Sequence, residues 1–187
     1  MPLEDLPYAS LDLLVRQYLS KAEEEPATTD LIRRLRRARA RGHLTPVELQ
    51  EIGNWKSPRA IRLISANNHY QVRRATQRAL RTRSERVRLE ALLSLRGVSV
   101  PMASAILTLL YPRTYGVLDI RVWQLLYRVG AVHRTPNGVG FTFENWQAFL
   151  SIVRSLAKKH GVKARDVERA LFEAHRRHQA GRLYDRP

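Results

Sequence analysis

The chain has 187 residues and carries 33 Lys and Arg against 17 Asp and Glu, a formal net charge of +16 with a sequence pI near 11.2. Such a chain repels itself and seeks a polyanion, and because most of its cations are arginines, whose planar fork suits phosphate, the expected partner is nucleic acid. Cysteine is absent, which excludes disulfides, thiolate nucleophiles, zinc–cysteine modules and iron–sulfur clusters.

A hydrophobic content of 44% is enough to bury a core, so one helical domain over residues 1–187, whole or split into two lobes, is the natural count. No run approaches the roughly 20 apolar residues that span a bilayer, so no membrane partner is expected. Glu4 and Asp5 stand where a secretory signal has its basic region. The expected location is cytoplasmic, nucleoid-associated if the source is prokaryotic.

The elements read as helices almost throughout. Leu11, Leu14, Val15 and Tyr18 give residues 3–19 an amphipathic pattern that the acidic run 23–25 and Pro26 end. After a loop, Thr29 or Asp30 caps a helix over 31–41, where Arg33, Arg34, Arg36, Arg37, Arg39 and Arg41 surround few apolar positions with no acid among them to neutralise them. That basic rod is a candidate backbone contact for nucleic acid; the plainer reading is a solvated face. Thr45-Pro46-Val47-Glu48 is a capping box with proline at the first helical position, opening a helix that ends near Gly53. In the turn that follows, Trp55 is suited either to stack on a base or to fill the core, and Lys56 and Arg59 are candidates to hold phosphate. Helices over 59–65, 70–81 and 84–95 come next.

Leu89, Leu92 and Leu93 fall at helical spacing before Gly97, and Ala103, Ile106, Leu107 and Leu110 do the same after it. Two helices therefore meet across a tight turn, with Gly97 free to adopt a left-handed backbone and Pro101 in a helical first turn where its missing N–H is no loss. The start of the second helix offers unsatisfied N–H groups and a positive dipole end to an anion, although an ordinary helix pair accounts for the same pattern. Beyond it, residues 111–116 break the helix, Val117 and Leu118 are buried, and Asp119 caps a helix through Val129. Residues 133–140 form a loop, Thr142 with Glu144 and Asn145 starts a helix to His160 that Gly161 stops, and a last helix runs over 163–179. Trp123 and Trp146 read as core. His175 and His178 sit three apart on that last helix, but nothing around them completes a metal site, and they read as a polar helix face. The fold expected is all-α.

The run from Leu95 through Gly97, Val98, Ser99, Val100 and Pro101 to Ala103, followed by Asp119 in Gly116-Val117-Leu118-Asp119-Ile120-Arg121-Val122, resembles the helix-hairpin-helix DNA glycosylase superfamily. That superfamily includes endonuclease III and the adenine-mismatch, alkyladenine and 8-oxoguanine glycosylases. The resemblance is close over residues 86–129, and residues 85–111 match the helix-hairpin-helix motif itself. It implies two helical lobes with a cleft, a hairpin whose Arg96, Gly97, Val98, Ser99 and Val100 grip the backbone of duplex DNA, and Arg121 beside them. It also implies a monovalent cation, K+ or Na+, at the carbonyls of Leu93, Leu95 and Val98. Asp119 is then the catalytic acid that faces a flipped nucleotide, with Trp55, Tyr111 and Tyr115 as candidates for the base pocket.

The chain departs from the pattern in three ways. Ser99 replaces the second hairpin glycine. Pro101 stands where bifunctional members carry a lysine nucleophile, so lyase chemistry is not expected unless Lys56 substitutes for it. The cysteine cluster of the iron–sulfur branch is missing, which places the chain with the cluster-free members and calls for no other cofactor. The resulting expectation is a monofunctional DNA glycosylase, an enzyme that removes a damaged or mismatched base. The alternatives are a non-catalytic helix-hairpin-helix DNA-binding protein or an accessory subunit of a nuclease or modification system.

Overall fold

The structure is a computed structural model and describes residues 10–178. It is all-α: the described residues contain no strand, and they divide into two compact units.

The first unit is Glu24–Pro112. In chain order it holds the second helix onward, beginning with α2 (Pro26–Arg34), then α3 (Arg36–Arg41) and α4 (Pro46–Lys56). A 3-10 turn over Pro58–Ala60 leads to the short α5 (Ile61–Ile64), and α6 (His69–Arg81), α7 (Glu85–Leu93) and α8 (Val100–Leu110) complete it. Pro26 begins α2 rather than ending what precedes it, with Glu25 as the extended N-cap residue. Thr29 and Asp30 therefore lie inside the helix and cap nothing, because the fixed φ of proline at the first helical position favours starting there. The expected single basic rod is broken at Leu35, and α3 stops at Gly42, whose φ is +79°. The helix from Pro46 keeps its Thr45–Glu48 capping box but runs through Gly53 to Lys56. A Cβ on Gly53 would lie 2.6 Å from Ile64 Cδ1, so the bare glycine inside the helix makes room for Ile64. α8 is the pillar of this unit, with every residue buried except Pro101. Leu35, Leu44, Leu49, Ile52, Ile64, Leu89 and Leu92 fill out the core.

The second unit joins the described residues up to Glu23 with those from Arg113 onward. It contains α1 (Leu11–Tyr18) with a short 3-10 turn over Leu19–Lys21, α9 (Ile120–Arg128), α10 (Phe143–His160) and α11 (Ala164–His178). The expected helical residues 3–9 and residue 179 lie outside the described residues. α10 is bounded as its chemistry dictates: Thr142 and Asn145 form a reciprocal capping box, and Gly161 closes the helix with a φ of +67°. Trp123, Trp146 and Phe149 are fully buried here with Leu14, Val153 and Leu171.

Candidate functional site

The turn between α7 and α8 is held from a distant part of its own unit. Gly97 has a φ of +77°, and a Cβ placed on it would lie 2.9 Å from Ile64 N, Ile64 Cγ1 and Leu63 Cβ. Both the backbone angle and the space require glycine. Buried Asn67 completes the clamp: its amide nitrogen donates to the Arg96 carbonyl at 2.9 Å and to the Ile64 carbonyl at 2.8 Å, and its amide oxygen accepts the Arg96 N–H at 2.9 Å. The Val98 N–H donates to the Leu95 carbonyl at 3.2 Å, and both side chains are buried. Ser99 is the extended N-cap residue of α8, with φ −87° and ψ 173°, so a serine sits there without strain. Its hydroxyl makes no capping bond. The first-turn N–H groups of α8 lack intrahelical acceptors by geometry, and Pro101 has none to offer.

The other candidates in this unit are divided. Trp55 is half-buried, and its indole N–H donates to Thr28 Oγ1 on α2 at 2.9 Å, which ties the ring to the α2–α4 junction. Lys56 is half-buried and Arg59 exposed. The Arg39 guanidinium lies 5.9 Å from the centre of the half-buried Tyr111 ring. The expectation that the α2–α3 arginines lack acidic neighbours is corrected by the fold. Arg33 pairs with Asp30 at 3.0 Å, Arg34 reaches Glu51 on α4 at 3.5 Å, and Arg41 pairs with Glu48, the acid of the capping box. Arg36 and Arg37 remain exposed.

In the second unit, Asp119 is the N-cap residue of α9, and its carboxylate accepts the Arg121 N–H at 3.0 Å. The strip leading to it is fixed from α11. Gly116 packs so closely that a Cβ there would lie 2.8 Å from Glu168 Cβ, and the Glu168 carboxylate accepts the Val117 N–H. Glu168 is buried and paired with buried Arg165. Burial pushes the Glu168 carboxyl above its ordinary range; the Arg165 guanidinium and Val117 N–H act against that, and the Asp119 charge adds to it. His175 is also buried, which corrects its expected place on a polar face. Its Nε2 lies 3.2 Å from Gln124 Oε1. Burial first, then the Arg121 charge, pushes the imidazole down to about 4, while Asp119 acts in the opposite direction. His178 Nε2 instead bonds the Tyr18 hydroxyl at 2.7 Å. Arg121 lies over Phe172, 5.7 Å from the ring centre.

Tyr115 is corrected as a pocket candidate. It is buried, stacked on Trp146 at 6.2 Å between centres, with the Arg154 guanidinium 4.8 Å from its own centre. No ring face is left for a nucleotide because the aromatic core of the unit has used it. Asn67, Arg165, Glu168 and Gln124 escaped sequence reasoning, since each acts on residues at least 29 positions away or from a buried face. No local signal marks Asn67; only its neighbour Asn68, which caps α6 with Gln71, carries one.

No family model matches the chain, and no curated protein or solved structure matches it. Among the described residues no helix is long and apolar enough to cross a membrane.

Proposed function

We propose that the chain binds duplex DNA through the turn at 94–99 and acts on it as a monofunctional DNA glycosylase. The observation that carries this reading is the backbone of the turn. Gly97 is left-handed and locked against Ile64, and Asn67 grips both polar groups of Arg96, so the start of α8 is presented on a rigid support. A helix start so held favours a phosphate, and a net charge of +16 favours a polyphosphate. Arg96 and Ser99 are exposed beside it. The Leu95 carbonyl accepts one N–H within the turn and keeps a second lone pair; with Leu93 and Val98 it suits a monovalent cation bridging to the same strand.

Asp119 supplies the chemistry in this reading. As water adds to the sugar C1′, the glycosidic bond breaks, its electron pair leaves with the base, and the base takes up a proton. A fixed carboxylate stabilises the cation that develops on the sugar. The strip anchored by Glu168 holds that carboxylate in place, and Pro101 offers no amine for a Schiff base.

The test is incubation with duplexes bearing different lesions, including abasic sites, with base release and strand cleavage scored separately. Release without cleavage is expected, and Asp119→Asn, which keeps the cap, lowers release by about 10²-fold or more while DNA binding persists. No release from any duplex by the native chain would sink the enzymatic claim. A second reading, a DNA-binding or accessory protein without catalysis, is favoured by the Asp119–Arg121 cap, which gives the acid a structural role that needs no chemistry. In that case Asp119→Asn changes nothing but stability.

A further inference from the structure

α6 buries Val72, Ala75, Thr76 and Ala79 and leaves Tyr70, Arg74, Arg78 and Arg81 exposed. These four follow one another at i, i+4, i+8 and i+11, which places them on one line along the helix. With 1.5 Å of rise per residue, the three arginines cover about 10 Å of that line. The helix contains no acid. Among the described residues, no ion pair or side-chain hydrogen bond engages Arg74, Arg78 or Arg81. That separates them from Arg33, Arg34, Arg41 and Arg88, each of which has an acid partner. Like charges one turn apart weaken a helix, so an acid-free line of three arginines is unfavourable until an anion lies along it. Tyr70, at 68% exposure, heads the line with an amphipathic ring, a combination suited to sugar and phosphate together.

The line also begins where the turn at 94–99 is held. Asn67, which grips Arg96, stands three residues before Tyr70, and Asn68 caps α6 itself. We infer that the Arg74–Arg78–Arg81 face of α6 is a second phosphate-contact surface for duplex DNA, continuing along the backbone the hold that the turn begins. The inference rests on the DNA reading above and adds to it a contact that neither the basic run on α2 and α3 nor the hairpin supplies.

Duplex affinity is measured between 50 and 200 mM salt for the native chain, for the triple variant Arg74→Gln, Arg78→Gln, Arg81→Gln, and for a charge-matched control. The control is Arg128→Gln, Lys158→Gln, Lys163→Gln, at exposed positions of the other unit. Each phosphate contact contributes about 0.9 to the slope of log affinity against log salt, so the α6 triple flattens the slope by about 2 to 3 and weakens low-salt binding at least about tenfold. The control keeps the native slope. The α6 variant's helical content and melting midpoint do not fall below native, since only exposed side chains change and like-charge repulsion along the helix is relieved. An unchanged slope in the α6 triple, or an equal loss in the control, overturns the inference. If Gly97→Ala weakens binding while the α6 triple does not, the hairpin reading stands and the α6 surface falls. If the native chain shows no salt-dependent duplex binding, both fall.

Discussion

Asn67 holds Arg96 by both of its backbone polar groups, accepting the N–H and donating to the carbonyl at 2.9 Å each, across 29 residues of sequence. This pairing mimics a ladder between two turns and leaves neither group unsatisfied on the part-buried side of the turn. Asn67→Ala strands the Arg96 N–H and carbonyl and is expected to cost about 2–4 kcal/mol, read as a lowered urea midpoint at constant slope. Asn67→Asp keeps the acceptor but loses the donor, and is expected to fall between. A variant as stable as the native chain would mean that the turn holds itself.

Gly97→Ala meets two penalties at once, a left-handed backbone and a Cβ 2.9 Å from Ile64. About 1–2 kcal/mol comes from the backbone and a further 1–3 from displacing α5. Gly161→Ala meets only the first, because nothing lies within 4 Å of a Cβ there. Thermal unfolding of the two variants separates strain from crowding: Gly97→Ala is expected to melt lower than Gly161→Ala by several degrees.

His175 gives stability a dependence on pH whose sign is fixed. Its folded value is lowered to about 4 from 6.5, so below pH 6.5 the unfolded chain takes up a proton that the native chain refuses. The stability is intact above pH 6.5 and is lost progressively as pH falls towards 4, by at most about 3 kcal/mol at 1.36 kcal/mol per unit. Urea unfolding at pH 7.5 and 5 is expected to show this loss in the native chain and a flatter profile in His175→Gln. An equal loss in both would assign the acid sensitivity elsewhere.

The Arg165–Glu168 pair is buried on both sides. Removing one member leaves the other charge uncompensated, so Glu168→Ala is expected to cost about 3–5 kcal/mol, whereas the double change Arg165→Met with Glu168→Leu costs less than either alone. A double-mutant cycle on the unfolding free energy checks it. Additive costs would show that the two side chains act independently.

Much of the local architecture was legible because capping is local. Thr45, Asp119, Thr142 and Gly161 mark helix ends through partners within a few residues, and the structure has each of them at such an end. What was illegible is what folding brings from afar. Arg34 meets Glu51 only once α2 lies beside α4, so a run that reads as unbalanced charge is partly paired. Pro26 reads as the end of the first helix but begins the second, because a proline suits either place and its neighbours alone favour the wrong one. Tyr115 falls in a helix-breaking run and is a candidate for the base pocket, yet Trp146 from α10 stacks on it in the core. Of the candidate site, the glycine of the turn and the capping acid could be read directly. The groups that fix them in place, Asn67 and Glu168, could not.

α8 is buried along its whole length except at Pro101. A helix walled in on every side has no freedom left to surrender when an anion reaches its N-terminus. On the DNA reading proposed above, docking there would incur little ordering entropy, and the affinity of the turn would be set by charge and solvation rather than by a folding step. The same confinement ties the turn to the core: any change that loosens the packing around Ile106 or Leu107 should blur the turn before it unfolds the unit.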